Sequence, residues 1–315
     1  MHDHSHGLTG RAVVIAMLIN FAVFAVEAVG AWMSGSLALL SDALHNFSDF
    51  LTLVLAWAAT RLVLRAATKT RTFGFLRSEI IVAFVNALTL LGIGLFLVWE
   101  GVGRTVTPVD IEGTPVILFG AVGFIANTAS TLVLRPHAHH DLNARSAFLH
   151  LATDALESAA VVVGGVLMWF HVPLVDPVLS ILIGLFTMKG AWDVLGDAAH
   201  ILNEGAPAGV TSDDVAKCLR DVDGVCDVHH VHVWSLSSNY HAVSAHVVVP
   251  DQMVGTSRSL IDRMALRLHD CCGVDHPTFQ LEVGDCGDDQ GGHGRTHADG
   301  HDRPHDHEHD HEHRH

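Results

Sequence analysis

Residues 36–62 read SLALLSDALHNFSDFLTLVLAWAATRL, an apolar stretch in which His45 and Asp49 stand four residues apart. Residues 148–169, FLHLATDALESAAVVVGGVLMW, repeat this spacing with His150 and Asp154. Four residues advance an α-helix by about 6 Å and return to nearly the same face, so each pair is a two-ligand clamp. Two clamps that face each other would form a cage of two imidazole nitrogens and two carboxylate oxygens.

The predicted cage has the ligand chemistry of a zinc site. Zn²⁺ favours tetrahedral sites with histidine nitrogen and aspartate oxygen ligands, and two carboxylates neutralise its charge. An ionised side chain at the centre of a membrane helix costs on the order of 2.5–3.5 kcal/mol, so aspartates there indicate a functional site. A single such residue is also compatible with polar packing inside a bundle. Because the clamp occurs twice, we predict that it carries a transported metal ion.

The composition is that of a membrane protein with soluble attachments, since 49% of the 315 residues are hydrophobic and only 17% are charged. A helix needs about 20 apolar residues to cross a bilayer. The first apolar stretch is followed by others and lacks a small-residue cleavage site, so we interpret it as a retained helix and not a signal peptide. We predict six spans, at residues 12–33, 37–62, 80–99, 115–134, 148–169 and 174–194.

The basic residues predict the orientation of these spans in the membrane. They concentrate in two connections, the one between spans two and three and the one between spans four and five. By the positive-inside rule both connections face the cytoplasm, and an even number of spans then places both termini there. The residues concerned are Arg65, Lys69, Arg71, Arg77, Arg135 and Arg145.

Residues 205–286 have the pattern of a small α+β domain. Helical and alternating patterns follow one another in the order αββαβ, at residues 211–220, 227–236, 240–249, 257–268 and 278–283. About 80 residues make a small core, so dimerisation or metal binding would help this domain. Its cysteines are expected to stay reduced in the cytoplasm, and thiol ligation of metal remains open beside simple burial. They are Cys218, Cys226, Cys271, Cys272 and Cys286.

Both ends of the chain are rich in histidine. The start offers His2, His4 and His6, and residues 291–315 offer nine histidines among acidic residues. Such tracts cannot form a core, and we expect disordered segments that capture or buffer metal, or else an inert solvated tail. The net charge of −16 favours the attraction of cations and argues against nucleic-acid binding. The predicted parts are therefore an N-terminal segment (1–10), a transmembrane domain (11–204), a cytoplasmic domain (205–286) and a tail (287–315).

Several motifs resemble those of the cation diffusion facilitators, in particular the bacterial zinc and cobalt–zinc–cadmium efflux branch. The first is SLALLSDALHNFSD at residues 36–49, the second is RTFGFLRSE at residues 71–79, and the third is the clamp of His150 and Asp154. The resemblance runs from about residue 8 to residue 286. Further positions that match are Asn20, Glu27, Asn86, Asp176 to Ser180, His229, His232, Val233, Trp234, Ala245, His246, Gln280 and Glu282.

The resemblance implies a homodimeric antiporter that exports divalent metal in exchange for protons. Each subunit would be an α-helical membrane protein with six transmembrane helices and a small C-terminal, metallochaperone-like αββαβ domain, embedded in the lipid of a bacterial inner membrane. The implied transport site is His45, Asp49, His150 and Asp154, in the combination typical of zinc members, with Cd²⁺, Co²⁺ and Ni²⁺ as further candidates. A cytoplasmic-domain metal site would draw on His229, His232 and His246, with its remaining ligands unassigned.

Two other classes of function remain alternatives. An intramembrane metalloenzyme would use the same ligands, but a catalytic zinc keeps an open position, and no catalytic base is evident, so we predict no enzyme. A sensor or storage protein would need the histidine-rich ends and no intramembrane clamps.

Several single residues also keep two interpretations. Asn20 and Glu27 are either proton or ion carriers or polar packing, Glu157 is either an entry residue or a carboxylate near the interface, and Asp42 is expected to support the site. The loop histidines His137, His139 and His140 either relay metal or are simply solvated.

Overall fold

The computed structural model describes residues 10–63, 65–135 and 142–284. The described part begins with six long helices and continues into a small α+β unit. The histidine-rich ends, the loop histidines His137, His139 and His140, and Cys286 lie outside the described residues. The six helices are α1 (Gly10–Ser34), α2 (Leu37–Val63), α3 (Ser78–Val106), α4 (Gly113–Leu134), α5 (Leu142–Trp169) and α6 (Val175–Leu202).

Five of these helices, α1, α3, α4, α5 and α6, are long and apolar enough to cross a membrane. They confirm five of the predicted spans. Helix α2 has the required length, 27 residues, but its first half carries polar side chains that lower its hydropathy. Four of these polar residues are buried inside the bundle, namely Ser41, Asp42, Asn46 and Ser48. The polarity of α2 is therefore directed inward, where the predicted cage lies.

Small residues allow the helices to pack closely. Helix α3 lies against α6, and a side chain added at Gly94 would place its Cβ 2.9 Å from the carbonyl oxygen of Gly184. Helix α4 lies against α5, and a Cβ at Gly113 would collide with the carbonyl oxygen of Gly165. Glycine at a helix contact lets two backbones approach where lipid provides no hydrophobic driving force. These contacts fix the distance of α5 and α6 from their neighbours.

The start of α2 is held by a buried aspartate from another helix. Asp176 of α6 is fully buried and accepts hydrogen bonds from the Ser36 hydroxyl (2.5 Å) and the backbone N–H groups of Leu37 (2.9 Å) and Ala38 (3.1 Å). The first N–H groups of a helix have no partner within the helix, and a carboxylate also complements the helix dipole. Arg104 of α3 donates to the carbonyl of Gly35 at 2.6 Å and lies 3.7 Å from Asp176. Helices α2, α3 and α6 are thus tied together about two turns from His45.

The small domain has the predicted αββαβ order. Strands β1 and β2 are antiparallel, while β3 lies parallel to β2 at the other edge of the sheet. Helices α7 and α8 cover the sheet, and Leu219, Val243 and Met264 are among the fully buried residues of the core. The elements are α7 (Ser212–Arg220), β1 (Asp227–Ser237), β2 (Tyr240–Val249), α8 (Val254–Cys272) and β3 (His276–Val283).

The expectation that the cysteines of this domain stay reduced is wrong for Cys218 and Cys271. Cys218 of α7 and Cys271 near the end of α8 are joined as a disulfide, with their Cα atoms 6.9 Å apart. The expectation came from the redox state of the compartment, whereas the pairing follows from the packing of the two helices against each other. Sequence spacing contains no information about that contact, because 53 residues separate the two cysteines.

Candidate metal centre

The four predicted cage residues come together between α2 and α5. Helix α2 supplies His45 and Asp49, and α5 supplies His150 and Asp154. One ligand atom from each residue can be chosen so that all four lie within 4.8 Å of one another. The structure therefore makes the two clamps face each other, as the repeated spacing predicted.

Nitrogen and oxygen atoms alternate around the cage. His45 Nε2 lies 3.1 Å from an oxygen of Asp154 and 3.8 Å from an oxygen of Asp49, and His150 Nε2 lies 3.7 Å from an oxygen of each. A tetrahedral zinc ion with bonds of about 2.0 Å separates its ligand atoms by about 3.3 Å. These nitrogen–oxygen distances bracket that value, with a different oxygen of Asp154 facing each histidine. Small side-chain movements would therefore suffice to close the cage around Zn²⁺.

A cavity of about 270 Å³ borders the cage between α2, α3, α5 and α6. Asp154 is buried, with 3% of its surface exposed, whereas His150 is exposed on the side of the cavity. Glu157 also lines the cavity, and one of its carboxylate oxygens is buried without a hydrogen-bond partner. Asn86 of α3 is another polar residue of the lining and accepts a hydrogen bond from Ser48 at 3.3 Å. The cavity therefore places the polar side chains of Asn86 and Glu157 beside the cage.

A buried polar network supports the cage from the side of α1 and α4. Asn46, next to His45, donates a hydrogen bond of 2.8 Å to Glu27, which is fully buried. Asp42 accepts a hydrogen bond of 3.2 Å from Ser158 of α5, and Asn127 of α4 donates to the same hydroxyl at 3.2 Å. Asp42 therefore links the two ligand-bearing helices, α2 and α5. The contacts of Glu27 include polar packing between helices.

A second cluster lies on the sheet of the small domain. His229 of β1 pairs with His246 of β2, and Glu282 of β3 contacts both, at 3.2 Å and 2.8 Å respectively. His230 joins them, because ligand atoms of the three histidines lie within 4.8 Å of one another. Burial raises the pKa of Glu282, but its hydrogen bond with His246 and the charges of His229 and His246 lower it more, so that the pKa lies below its ordinary value. The carboxylate is thus held ionised beside three imidazoles.

The structure places His232 outside this cluster. It lines a cavity of about 990 Å³ between β1 and the connection at residues 70–78. The register pairs His229 with His246 and His232 with Ser244, so His232 lies on the same face as the cluster but further along the strand. A bulge between them leaves His230 with φ of 47° and turns its side chain toward His246. Sequence reasoning missed His230 because the bulge is not visible in the alternating pattern, and it recognised Glu282 only as a matching position.

A helical membrane domain with an internal cage of metal ligands, followed by a small α+β domain, defines a metal-handling membrane protein. Residues 13–203 match the family model described as the cation efflux transmembrane domain. Residues 207–283 match the model described as the cytoplasmic domain of cation efflux proteins. The chain belongs to the cation efflux family, in its zinc, cobalt and cadmium branch, which confirms the resemblance seen in the motifs.

Curated relatives cover almost the whole chain. The chain is 33% identical over 287 residues to the metal cation efflux system protein CzcD of Cupriavidus metallidurans, and the alignment covers 90% of each chain. It is 33% identical over 296 residues to the zinc transporter ZitB of Escherichia coli, across 90% of this chain and 93% of the relative. It is 29% identical over 286 residues to a cadmium, cobalt and zinc/H(+)-K(+) antiporter of Bacillus subtilis, across 90% of this chain and 92% of the relative.

Proposed function

We propose that this protein exports Zn²⁺ from the cytoplasm in exchange for protons, through the cage of His45, Asp49, His150 and Asp154. The observation that carries the proposal is the alternation of two imidazole nitrogens and two carboxylate oxygens around one point, supplied by two different helices. The names of the relatives support zinc, cadmium and cobalt as the class of ion. The nitrogen and oxygen ligands favour Zn²⁺ among these, since softer ions such as Cd²⁺ prefer thiolates.

Proton exchange follows from the charges of the cage. Zn²⁺ binds neutral histidine and ionised aspartate, so loading the cage requires deprotonated ligands. Without metal, a proton on each of His45 and His150 would give two ion pairs with Asp154 and Asp49, at the contacts of 3.1 Å and 3.7 Å. Both states are formally neutral, which avoids an uncompensated charge in the membrane. Two protons can therefore replace one Zn²⁺ without a net charge in the cage.

We also propose that α2 is the sixth span and that both termini lie in the cytoplasm. Helix α2 is long enough to cross, and several of its polar residues are buried against neighbouring helices and not directed to lipid. With six crossings the small domain lies on the same side as the start of the chain, in agreement with the description of its family model as a cytoplasmic domain. We further propose that the protein lies in a bacterial inner membrane and forms a homodimer. A domain of this size gains stability by pairing.

For the small domain we propose a regulatory metal site made of His229, His230, His246 and Glu282. Three imidazoles and one ionised carboxylate are a ligand set that suits Zn²⁺. Its place in the cytoplasmic domain would let it respond to the metal concentration on the side from which the cage is loaded. We leave His232, which the resemblance suggested, out of this proposed site, because it lines the cavity beside residues 70–78.

The test is zinc flux into or out of vesicles that contain the purified protein and carry an imposed pH gradient. We expect flux that follows the gradient in the wild type and is lost in Asp154→Asn. The matched control is Asp193→Asn on the exposed side of α6, which keeps the flux. Saturable zinc binding without flux, in vesicles of verified integrity, would contradict the proposal in favour of sensing or storage. Full flux in Asp154→Asn would contradict the assignment of the cage.

A further inference from the structure

A third group of metal-ligand side chains lies apart from both histidine sites. Cys218 near the end of α7 meets Cys271 and Cys272 at the end of α8, and the three sulfur atoms lie within 4.8 Å of one another. Cys218 is buried, Cys272 is half-buried and Cys271 is exposed, so the cluster opens to solvent on one side. Neither the cage nor the cluster around His246 uses any of these residues.

The redox state of the cluster decides whether it offers ligands. The structure contains the oxidised form, in which Cys218 and Cys271 share a disulfide and the Cys272 sulfur lies 3.9 Å from that of Cys271. The family model assigns this domain to the cytoplasm, where glutathione and thioredoxin keep thiols reduced. Reduction by a dithiol adds two electrons and two protons to the disulfide and oxidises the dithiol to its own disulfide. It leaves three thiols at one place.

We infer that the reduced cluster of Cys218, Cys271 and Cys272 binds one soft divalent cation, such as Cd²⁺ or Zn²⁺, through three thiolates. Tetrahedral zinc–thiolate bonds of about 2.3 Å separate the sulfur atoms by about 3.8 Å. The distance of 3.9 Å between Cys271 and Cys272 already matches this edge. Cys218 has only to move from bonding distance to the same separation. Three protein ligands would leave the fourth position to water on the open side.

Metal binding at this cluster is coupled to the loss of protons. A divalent cation that binds the three sulfur atoms displaces the proton of each thiol, which passes to solvent.

The site differs in chemistry from the transport cage. Thiolates select softer ions than imidazole and carboxylate do, so the cluster would favour Cd²⁺ where the cage favours Zn²⁺. Metal binding and the disulfide also exclude each other, because both use Cys218 and Cys271. The inference does not depend on transport, since it concerns equilibrium binding to the small domain.

The experiment is a Cd²⁺ titration of the full-length protein in detergent, followed by the ultraviolet charge-transfer band from thiolate to cadmium. Imidazole and carboxylate ligands give no such band, so the two histidine sites are silent. A phosphine reductant is present, which takes up oxygen from water as the disulfide becomes two thiols. We expect a band that saturates at one Cd²⁺ per chain, weakens in Cys272→Ser and disappears in the double variant Cys271→Ser and Cys272→Ser.

Two controls make the result decisive. Cys226→Ser, which changes a cysteine outside the cluster, should leave the band unchanged. Protein that is first oxidised by a low-molecular-weight disulfide, then freed of it and titrated without the phosphine, should lack the band. A reduced wild type without a saturable band would overturn the inference. So would a band that persists in the double variant, because that band would belong to other thiols. Circular dichroism of each variant ensures that a lost band does not reflect an unfolded domain.

Discussion

Removal of the Asp176 carboxylate is expected to destabilise the helix bundle more than any exposed substitution on the same helix. Asp176 is fully buried and accepts three hydrogen bonds, two of them from N–H groups at the start of α2. In Asp176→Ala these donors lose their acceptor, and the guanidinium of Arg104 loses a negative charge 3.7 Å away. We expect a loss of about 3–5 kcal/mol in the free energy of unfolding, the range found when one partner of a buried charged group is removed.

The magnitude can be worked from the individual contacts. A hydrogen bond to a charged group contributes about 1.5–3 kcal/mol, so three of them give an upper bound above the expected value. Water that enters the vacated space at the end of α2 would satisfy part of the lost bonds. Asp176→Asn keeps one oxygen acceptor but loses the charge, and we expect about 1.5–3 kcal/mol for it. The prediction therefore includes an order of stability: Asp176→Ala is the least stable, Asp176→Asn is intermediate and the wild type is the most stable.

The assay is unfolding in mixed micelles, in which a denaturing detergent gradually replaces a mild one and tryptophan fluorescence reports the transition. Asp193→Ala on the exposed side of α6 is the control. The reasoning is refuted if Asp176→Ala unfolds within about 0.5 kcal/mol of that control, which is the usual range of surface substitutions. Since α2 carries His45 and Asp49, the zinc affinity of the cage should fall together with stability.

Two further predictions concern packing and pH. Gly113→Ala places a Cβ against the backbone of Gly165, whereas the Cβ of the control Gly92→Ala meets nothing within 4 Å. The free energy of unfolding of Gly113→Ala should be about 1–3 kcal/mol lower than that of Gly92→Ala, as measured by the micelle assay. Hydrogen bonds from Thr211, from its side chain and its backbone, lower the pKa of Asp214, so its contribution to the α7 cap is complete above about pH 3.9 and is lost as the pH falls through the folded pKa. In the wild type the thermal unfolding midpoint should therefore decline between about pH 6 and pH 3, and Asp214→Asn should reduce this decline. The control Asp213→Asn should show the wild-type decline. Equal pH profiles of the unfolding midpoint for the two variants would contradict the argument.

The candidate transport cage could be predicted from the sequence because it depends on a spacing between nearby residues. A spacing of four residues puts His45 and Asp49 on one helical face whatever surrounds the helix, and the same holds for His150 and Asp154. Two such faces in apolar helices predict their meeting, since an unpaired aspartate in the membrane is costly. The structure then brought all four side chains together.

The histidine cluster of the small domain shows where local patterns fail. Strand alternation would have separated His229 from His230, and a bulge brings them together. A bulge adds one residue to a strand and reverses the faces beyond it, and it depends on how the neighbouring strand pairs. The resemblance implied His232, whereas the structure brings His230 together with His229 and His246.

The sequence by itself determined the membrane helices, the two clamps and the order of the αββαβ domain, because periodicity and hydrophobicity act over a few neighbouring residues. Only the tertiary structure decided that Asp176 caps α2, that His230 replaces His232 in the cluster, and that Cys218 meets Cys271. Each of these contacts joins residues from different elements, or depends on the pairing of strands. Packing, and not local preference, sets which side chains share such a place.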